Sequence, residues 1–431
     1  MEESIRTYLK SLLQQEVVLA TGCTEPGAVA LCVAKACSLL GCEPERICLR
    51  LSKNVFKNAM GVGIPGSGMI GLPIAVAMAV THGDPARGLE VLMLEPTQVD
   101  DAKRWLADNA SRIDIGVKDT TDRLYIECSV FSGQCSATAV IARRHTQFIF
   151  LAKGDEVLLD EKLCLHQQAD DAANPADDCR QQLELSARMV YDYATTAPLD
   201  ELQFIRDTVT FNEAASQWGL KGCGLHTGEL LMREAGNDLI HTVVARTVAA
   251  SDARMDGCPL PVYSNSGSGN QGICCTLPAY HYGTLRSCSD ERITRALVLN
   301  HLLSIYIKRG IGRLSALCGI VNASIGNAAA MVFLDGGGYR EVCFAVKNMI
   351  NTLSGMVCDG AKPSCALKMA SGVYSAHVCA LLAREGHVVE PTDGLSEDCV
   401  DCSIRNLGRL GKEGMCSTDD CILDIMTHKK S

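Results

Sequence analysis

The sequence predicts an α+β protein, with an α/β lobe containing an antiparallel sheet (residues 1–160) followed by a mainly helical lobe (residues 161–431). Apolar and polar residues alternate with short turns over residues 113–157, which is typical of a meander of antiparallel strands. Beyond a stretch rich in Asp, Ala, Gln and Pro, residues 167–182, helical periodicity dominates. That stretch predicts an exposed connection. The first two helices can belong to the first lobe or pack against the helical one.

The first lobe opens with a predicted helix whose apolar residues recur at helical spacing: Ile5, Leu9, Leu12, Leu13 and Val17. A second helix is expected through about Leu40, with Thr24 as N-cap and Pro26 in its first turn, where the missing N–H costs nothing. Alternation then predicts a half-buried strand that buries Ile47, Leu49 and Leu51. A glycine-rich loop, residues 61–68, precedes an apolar, Ala-rich helix, and another helix is expected over 97–109.

In the meander, alternate side chains are expected to face one side of the sheet: Leu124, Ile126, Cys128 and Val130. The helical lobe contains four clear helical patterns, at Glu291–Lys308, Leu314–Phe333, Tyr339–Leu353 and Cys365–Glu385. The second of these is rich in Ala, Ser and Gly, so its backbone is expected to pack closely against neighbouring helices.

Composition excludes several classes of function. The net charge is −10 and the basic runs are short, which argues against a nucleic-acid partner. The charged N-terminal segment is not expected to act as a secretory signal, and the apolar stretch 68–80 is too short to cross a bilayer. We therefore expect a cytoplasmic protein without a membrane or nucleic-acid partner, acting on a small molecule, with a homodimer as the default assembly.

Twenty-three cysteines are unusual for a reducing compartment, where disulfides are rare. Many lie among apolar residues and are expected to be core thiols, but Cys358 and Cys365 lie in a Gly- and Pro-containing connection between two predicted helices. Cys365 falls near a helix start, where free N–H groups favour a thiolate. Cys318 lies on the small-residue helix upstream. The spacing alone is compatible both with a three-thiolate metal site and with ordinary loop and core thiols.

A second group of cysteines lies near the C-terminus with the spacing C-x₂-C-x₁₃-C-x₄-C: Cys399, Cys402, Cys416 and Cys421. Four thiolates at such spacing can form a closed zinc site, and a zinc- or redox-sensing binding protein is the alternative function that they suggest. The first pair lacks the Gly or Pro of a zinc knuckle and falls in a predicted helix, which argues against zinc.

A segment rich in Ser, Gly, Asn and Gln, residues 263–272, precedes an apolar helical pattern. Successive backbone N–H groups in such a loop can bind a small anion such as a carboxylate, although a plain surface turn has the same composition. A nucleotide is disfavoured because no Gly-Lys-Ser/Thr ending and no strand–GxGxxG–helix unit is present.

Together these segments resemble the iron–sulfur-dependent L-cysteine desulfidase family, which is related to the alpha part of bacterial iron–sulfur L-serine dehydratases. The matching segments are Gly-Cys-Thr-Glu-Pro at 22–26, residues 62–69, Ser-Asn-Ser-Gly-Ser-Gly-Asn-Gln-Gly at 264–272, Leu-Ser-Ala-Leu-Cys at 314–318, and residues 355–368. They follow the family's order over nearly the whole chain. The segments that contain Cys399, Cys402, Cys416 and Cys421 are not among them.

The resemblance implies a [4Fe-4S] cluster held by Cys318, Cys358 and Cys365, and Cys23 as the general base. It also implies elimination of sulfide from L-cysteine without pyridoxal phosphate, giving pyruvate and ammonia. In this scheme the loop containing Ser266, Ser268, Gly269, Asn270 and Gln271 holds the substrate carboxylate. An L-serine dehydratase, with the substrate hydroxyl on iron, is the first alternative, because the two families share the cluster chemistry.

Overall fold

The computed structural model describes residues 1–20, 22–122, 124–161, 184–312 and 315–428. Contacts divide the chain into two compact units, residues 23–184 and residues 1–22 with 185–431. The first helix therefore belongs to the helical unit, and the second to the α/β unit. The predicted exposed connection at 167–182 lies outside the described residues.

The α/β unit combines a sheet with short helices. Its helices are α2 (Thr24–Leu40), α3 (Lys53–Ala59), α4 (Leu72–His82) and α5 (Pro96–Asn109), with 3₁₀ turns at Pro85–Leu92 and Ala110–Arg112. Its strands are β2 (Arg46–Leu51), β3 (Ile113–Val117), β4 (Tyr125–Ser132), β5 (Cys135–Ala142), β6 (Phe148–Lys153) and β7 (Glu156–Asp160). Cys23, not Thr24, is the N-cap of α2, and Thr24 is its first helical residue.

The six strands form one sheet in the order β3-β2-β4-β5-β6-β7. From β4 to β7 it is the predicted antiparallel meander, and the side chains expected on one face, Leu124, Ile126, Cys128 and Val130, are buried. The prediction of antiparallel pairing was wrong for β3, which runs parallel to β2. The chain between these strands forms α3, α4 and α5, and such a crossover returns it in the same direction.

The α2 helix packs within its unit against β4 and β5. Cys32 on this helix is fully buried, and its Sγ lies 3.3 Å from the carbonyl oxygen of Ala139. Burial raises the pKa of the Cys32 thiol well above its ordinary value and that of Cys37 to about 12. These thiols are therefore neutral packing groups, as their apolar surroundings in the sequence predict.

The helical unit begins with α1 (Glu3–Glu16) and a two-residue strand, β1 (Leu19–Ala20), which pairs antiparallel with β8 (Val262–Tyr263). Its other helices are α6 (Ala187–Thr196), α7 (Leu199–Leu202), α8 (Arg206–Gly219), α9 (Thr227–Ala235), α10 (Leu239–Met255), α11 (Gly269–Leu285), α12 (Asp290–Ile311), α13 (Gly319–Leu334), α14 (Tyr339–Leu353), α15 (Cys365–Arg384), α16 (Val400–Arg409) and α17 (Cys416–Thr427). A 3₁₀ turn at Gln203–Ile205 and a π turn at Leu410–Gly414 complete it. These elements confirm the predicted α+β class with a mainly helical C-terminal part.

The α13 helix lies at the centre of the helical unit, packed by α11, α12, α14 and α15. Small residues allow the close approach: a Cβ at Gly326 would lie 2.0 Å from Oδ1 of Asn300 on α12, and a Cβ at Gly372 of α15 would lie 2.2 Å from Oγ of Ser324. The predicted tight packing of this small-residue helix is thereby explained. Its start was misplaced, because Cys318 is the N-cap and α13 begins at Gly319.

Among the described residues, α15 is long and apolar enough to cross a membrane by length and composition alone. Its apolar residues also have a packing role, since Ala366, Met369 and Val373 are buried in the core of the helical unit. Core helices of this kind satisfy the same length and composition criterion.

Candidate active site

The three cysteines assigned to the cluster lie where two segments of the helical unit join. Leu317 and Val357 form an isolated antiparallel bridge, with the Cys318 N–H donating to the Met356 carbonyl (3.0 Å) and the Cys358 N–H donating to the Ala316 carbonyl (2.6 Å). The bridge fixes Cys318 and Cys358 on adjacent backbone segments. Cys365 follows after one short loop as the first residue of α15.

Two of these thiols lie at helix N-termini: Cys318 is the N-cap of α13, and Cys365 opens α15. The free N–H groups and the dipole at such positions favour negative charge. A sequence pattern indicated this for Cys365, whereas for Cys318 it emerges only from the structure. Both thiolates would thus be oriented by the helix ends that also stabilise them.

The three thiols also interact electrostatically. Burial raises the pKa of Cys318 to about 12, the neighbouring Cys358 and Cys365 add to the rise, and the charge of Lys368 opposes it. Burial likewise raises the pKa of Cys365, Cys358 adds to this, and the charges of Lys368 and Arg254 oppose it. Two cations therefore act on a cluster of three thiols, and sequence reasoning assigned a role to neither.

The Lys368 ammonium ties the Cys358 loop to α15. It donates to the carbonyl of Val357 (2.9 Å) and forms an ion pair with the carboxylate of Asp359, which also pairs with Lys362 (2.5 Å). Although burial raises the pKa of Asp359, Lys362 and Lys368 lower it overall. Lys368 is therefore a paired cation that holds the loop in place.

The donor set has the chemistry of an iron–sulfur site, because such clusters are held by cysteine thiolates, here those of Cys318, Cys358 and Cys365. No group of three or more His, Cys, Asp or Glu side chains in the described part of the chain is arranged to hold one metal ion. The irons of a cluster are separate atoms, so its thiolate ligands need not converge on one point. Three thiols, two helix N-termini and two cations provide the ligands and the positive surroundings that an anionic cluster requires.

The segment rich in Ser and Gly, residues 263–268, called the Ser/Gly turn below, lies in the same unit and leads directly into α11. Ser268 is the N-cap, and its Oγ accepts from the Gln271 N–H (3.3 Å). Gly269, Asn270 and Gln271 therefore form the first helical turn, not a flexible loop. Ser266 has a positive φ of 50°, as does Gly267 at 82°. The predicted anion site thus consists of a tight turn followed by the N-terminus of a 17-residue helix.

Gln271 connects this turn to the segment that contains Cys318. Its Nε2 donates to Oδ1 of Asn265 (2.9 Å) and to Oγ of Ser304 (3.1 Å), while its buried Oε1 has no partner among the described residues. A Cβ at Gly319, the residue after Cys318, would lie 2.6 Å from that Oε1. The start of α11 therefore touches the start of α13, next to one of the three cysteines.

A buried histidine, His301 on α12, supports the turn through a hydrogen bond with Asn265. Asn265 Nδ2 donates to His301 Nδ1 (3.1 Å), so that nitrogen carries no proton. His301 Nε2 then donates to Oγ1 of Thr276 (3.1 Å), which itself donates to the Gly272 carbonyl (2.8 Å). Burial lowers the pKa of His301 to about 3. A neutral histidine thus fixes Asn265 and, through it, Ser266 and Gln271.

Cys23 lies in the α/β unit as the N-cap of α2 and is 6% exposed. Helix N–H groups favour a thiolate at this position. In the first turn, the carboxylate of Glu25 accepts from Nδ2 of Asn58 (2.9 Å), a hydrogen bond that draws its negative charge toward the amide. The predicted general base is therefore a largely buried thiol at a helix start.

The predicted zinc cysteines are less well assembled. Cys399 is the N-cap of α16, and Nη2 of Arg405 lies 3.0 Å from Sγ of Cys402. Cys421 is exposed on α17, and the side chain of Cys416 lies outside the described residues. Within the described part of the chain, no metal-binding group forms here.

A separate open cleft of about 640 Å³ lies in the α/β unit and is lined by Cys37, His82, Asp101 and Trp105, among others. It contains none of the residues predicted from the sequence to act in catalysis. Nε2 of His82 and Oδ2 of Asp101 are 3.2 Å apart in a half-exposed pair, which needs no ligand to be satisfied. We assign this cleft no part in the chemistry.

Arg254 is the residue near the cysteines that sequence reasoning missed most clearly. It lies on α10, is only 9% exposed, and donates from Nη2 to the Gly22 carbonyl (3.0 Å) and from Nη1 to Oδ1 of Asn270 (3.3 Å). The available signal was the position of Arg254 in the mainly apolar helical stretch 243–255. Arginine is rarely buried without a partner, so an arginine in such a stretch indicates a special role.

Comparisons with known proteins place this architecture in a family. Residues 106–424 match the model of the serine dehydratase alpha chain. The chain is 47% identical to a UPF0597 protein of Bacteroides fragilis over the full length of both. It is 48% identical to one of Phocaeicola vulgatus (99% of this chain, 98% of the relative) and 42% identical to one of Aeromonas hydrophila (97% and 96%).

A serine dehydratase-like family supports lyase chemistry and an iron–sulfur cofactor, in agreement with the three grouped cysteines. The match also includes the Ser/Gly turn, α10 and both cysteine segments. The chain belongs to the serine dehydratase alpha-chain family and, within it, to the UPF0597 proteins.

Proposed function

We propose that the protein is a [4Fe-4S]-dependent L-cysteine desulfidase, which converts L-cysteine to pyruvate, ammonia and hydrogen sulfide. The observation that carries this proposal is that the bridge between Leu317 and Val357 brings Cys318 and Cys358 together, with Cys365 near enough to interact electrostatically with both. Three thiolates leave one iron of a four-iron cluster without a protein ligand, and an open position distinguishes a catalytic metal site from a structural one. Family membership supports the lyase class.

When bound, the cluster supplies a Lewis acid for the substrate sulfur and the departing sulfide. The chain itself supplies the other functions. The turn containing Ser266, Ser268, Gly269, Asn270 and Gln271 orients the substrate through its α-carboxylate. The thiolate of Cys23 accepts the proton from Cα. The electron pair of the Cα–H bond then forms the Cα–Cβ double bond of aminoacrylate as the Cβ–S bond breaks.

Water completes the reaction outside the chemistry that the protein must perform. Aminoacrylate tautomerises to an imine, which adds water and releases pyruvate and ammonia. The overall reaction is redox-neutral, so no oxidant or reductant is consumed. A soft sulfur ligand suits iron already bound by thiolates, which favours L-cysteine over L-serine as substrate.

The proposal is tested with protein purified without oxygen, by measuring sulfide released from L-cysteine and pyruvate formed from L-serine. We expect sulfide and pyruvate in equal amounts from L-cysteine and a much smaller kcat/KM for L-serine. Pyruvate from L-serine without sulfide from L-cysteine would assign the protein to the alternative, an L-serine dehydratase. Stoichiometric zinc without elimination would assign it to the binding-protein class instead.

A further inference from the structure

We propose that Arg254 is the residue that recognises the α-carboxylate of the substrate, as a specificity-determining cation at the start of α11. This inference rests on the proposed function only in assuming an amino-acid substrate. It adds to the Ser/Gly turn a charged group that the sequence did not reveal, and it holds for L-cysteine and L-serine alike.

Arg254 has no counter-charge among the described residues. Arg254 forms no ion pair with any carboxylate of the described residues, and its buried Nε has no hydrogen-bond partner there. Its two hydrogen-bond acceptors, a backbone carbonyl and an amide oxygen, are both neutral. Burying a cation without an anion is costly, so a buried and unpaired guanidinium indicates that an anion occupies the site in the functional state.

The guanidinium of Arg254 lies against the first turn of α11. A Cβ at Gly269 would lie 2.3 Å from Nε of Arg254, so only glycine allows the guanidinium to lie against the first turn of α11. The free N–H groups of that turn and the cation therefore act on the same place. A planar guanidinium beside a helix N-terminus matches a carboxylate, which accepts two parallel hydrogen bonds.

Arg254 differs from Lys368, the other cation near the cysteines. Lys368 already forms an ion pair with Asp359, whereas Arg254 forms an ion pair with no acid among the described residues. Arg254 nevertheless lies close enough to the cysteines for its charge to act on Cys365. A substrate whose sulfur lies at the cluster would thus present its carboxylate within the same region of the helical unit.

The test compares two ligands on the anaerobic holoenzyme: L-cysteine, and cysteamine, which has the same thiol and amine but no carboxylate. In Arg254→Gln we expect the KM for L-cysteine to rise about 10- to 100-fold, the loss expected for a charge-assisted hydrogen bond. The dissociation constant of cysteamine, from titration of the visible absorbance, should change less than about twofold. The variant keeps the groups that bind the thiol and the amine, and cysteamine has no carboxylate to lose a contact. Iron and acid-labile sulfide should stay at the wild-type content.

Arg246→Gln is the matched control, because Arg246 lies two turns earlier on α10 but is paired with Glu213 (3.2 Å). It should leave both ligands and the cluster unchanged. Arg254→Lys keeps the charge if the glutamine variant does not fold, and it should raise the KM for L-cysteine with unaltered cysteamine binding.

The inference would be overturned if, in either folded Arg254 variant, the ratio of the KM for L-cysteine to the dissociation constant of cysteamine stayed at the wild-type value. Loss of iron from both variants would also overturn it, and would make Arg254 a counter-charge for the cysteine thiolates alone. Failure of the proposed function is seen separately, as absence of sulfide from the wild type. In that case L-serine and ethanolamine replace the two ligands, and the carboxylate preference is measured from the absorbance titration.

Discussion

Replacing Cys358 by alanine is expected to give a folded protein that contains no iron and no acid-labile sulfide after anaerobic reconstitution. The same result is expected for Cys318→Ala and Cys365→Ala. Each thiol lies on a segment that the bridge between Leu317 and Val357 or the start of α15 holds in place, and each variant removes one of the three proposed ligands. Sulfide release from L-cysteine should fall to the level of cluster-free protein.

The matched control for these ligand variants is Cys379→Ala. Cys379 lies on the same helix as Cys365, is buried, and has its Sγ 3.6 Å from Oγ1 of Thr352. Removing this thiol costs packing energy but no ligand, so the cluster content and the turnover should remain. A full complement of iron and sulfide in any of the three ligand variants would refute the ligand set.

The second large effect is expected for Cys23→Ala, which should keep its iron and sulfide and yet lose about 10²- to 10⁴-fold in turnover, the range for removing a general base. The cluster cysteines all lie in the helical unit, whereas Cys23 lies in the α/β unit, so its replacement leaves the ligands untouched. The readouts are the rate of pyruvate formation and exchange of the Cα proton of L-cysteine with solvent deuterium.

For Cys23 the control is Cys37→Ala in the same helix. Burial raises the pKa of Cys37 to about 12, so it cannot serve as a thiolate near neutral pH. Its replacement should leave proton exchange and turnover at the wild-type level. If Cys23→Ala turns over at the wild-type rate, Cys23 has no place in the mechanism and is a packing thiol.

The periodicity of apolar residues predicted those strands and helices that bury one face. The alternation at Ile126, Cys128 and Val130 predicted the meander, and the helix Tyr339–Leu353 was bounded correctly. Strand direction is different, because alternation is the same in parallel and antiparallel pairs. The parallel pairing of β3 with β2 follows from the three-helix crossover, which a local pattern does not contain.

The site shows the same division between local and distant information. Cys365 was placed at a helix start because Gly and Pro precede an apolar repeat. For Cys318 the residues on both sides are compatible with a helix, so the sequence did not show that the helix begins only after it. Arg254 carried no motif at all. Its significance arises from α10 packing against α11, where Gly269 admits the guanidinium, and only the folded chain shows that contact.

Mössbauer spectroscopy of ⁵⁷Fe-loaded protein, with and without L-cysteine, addresses the central claim most directly. Three irons bound by Cys318, Cys358 and Cys365 and one without a protein ligand should give two kinds of signal, and L-cysteine should alter only the minority one. A spectrum that L-cysteine leaves unchanged, or protein that takes up no cluster iron, would contradict the account.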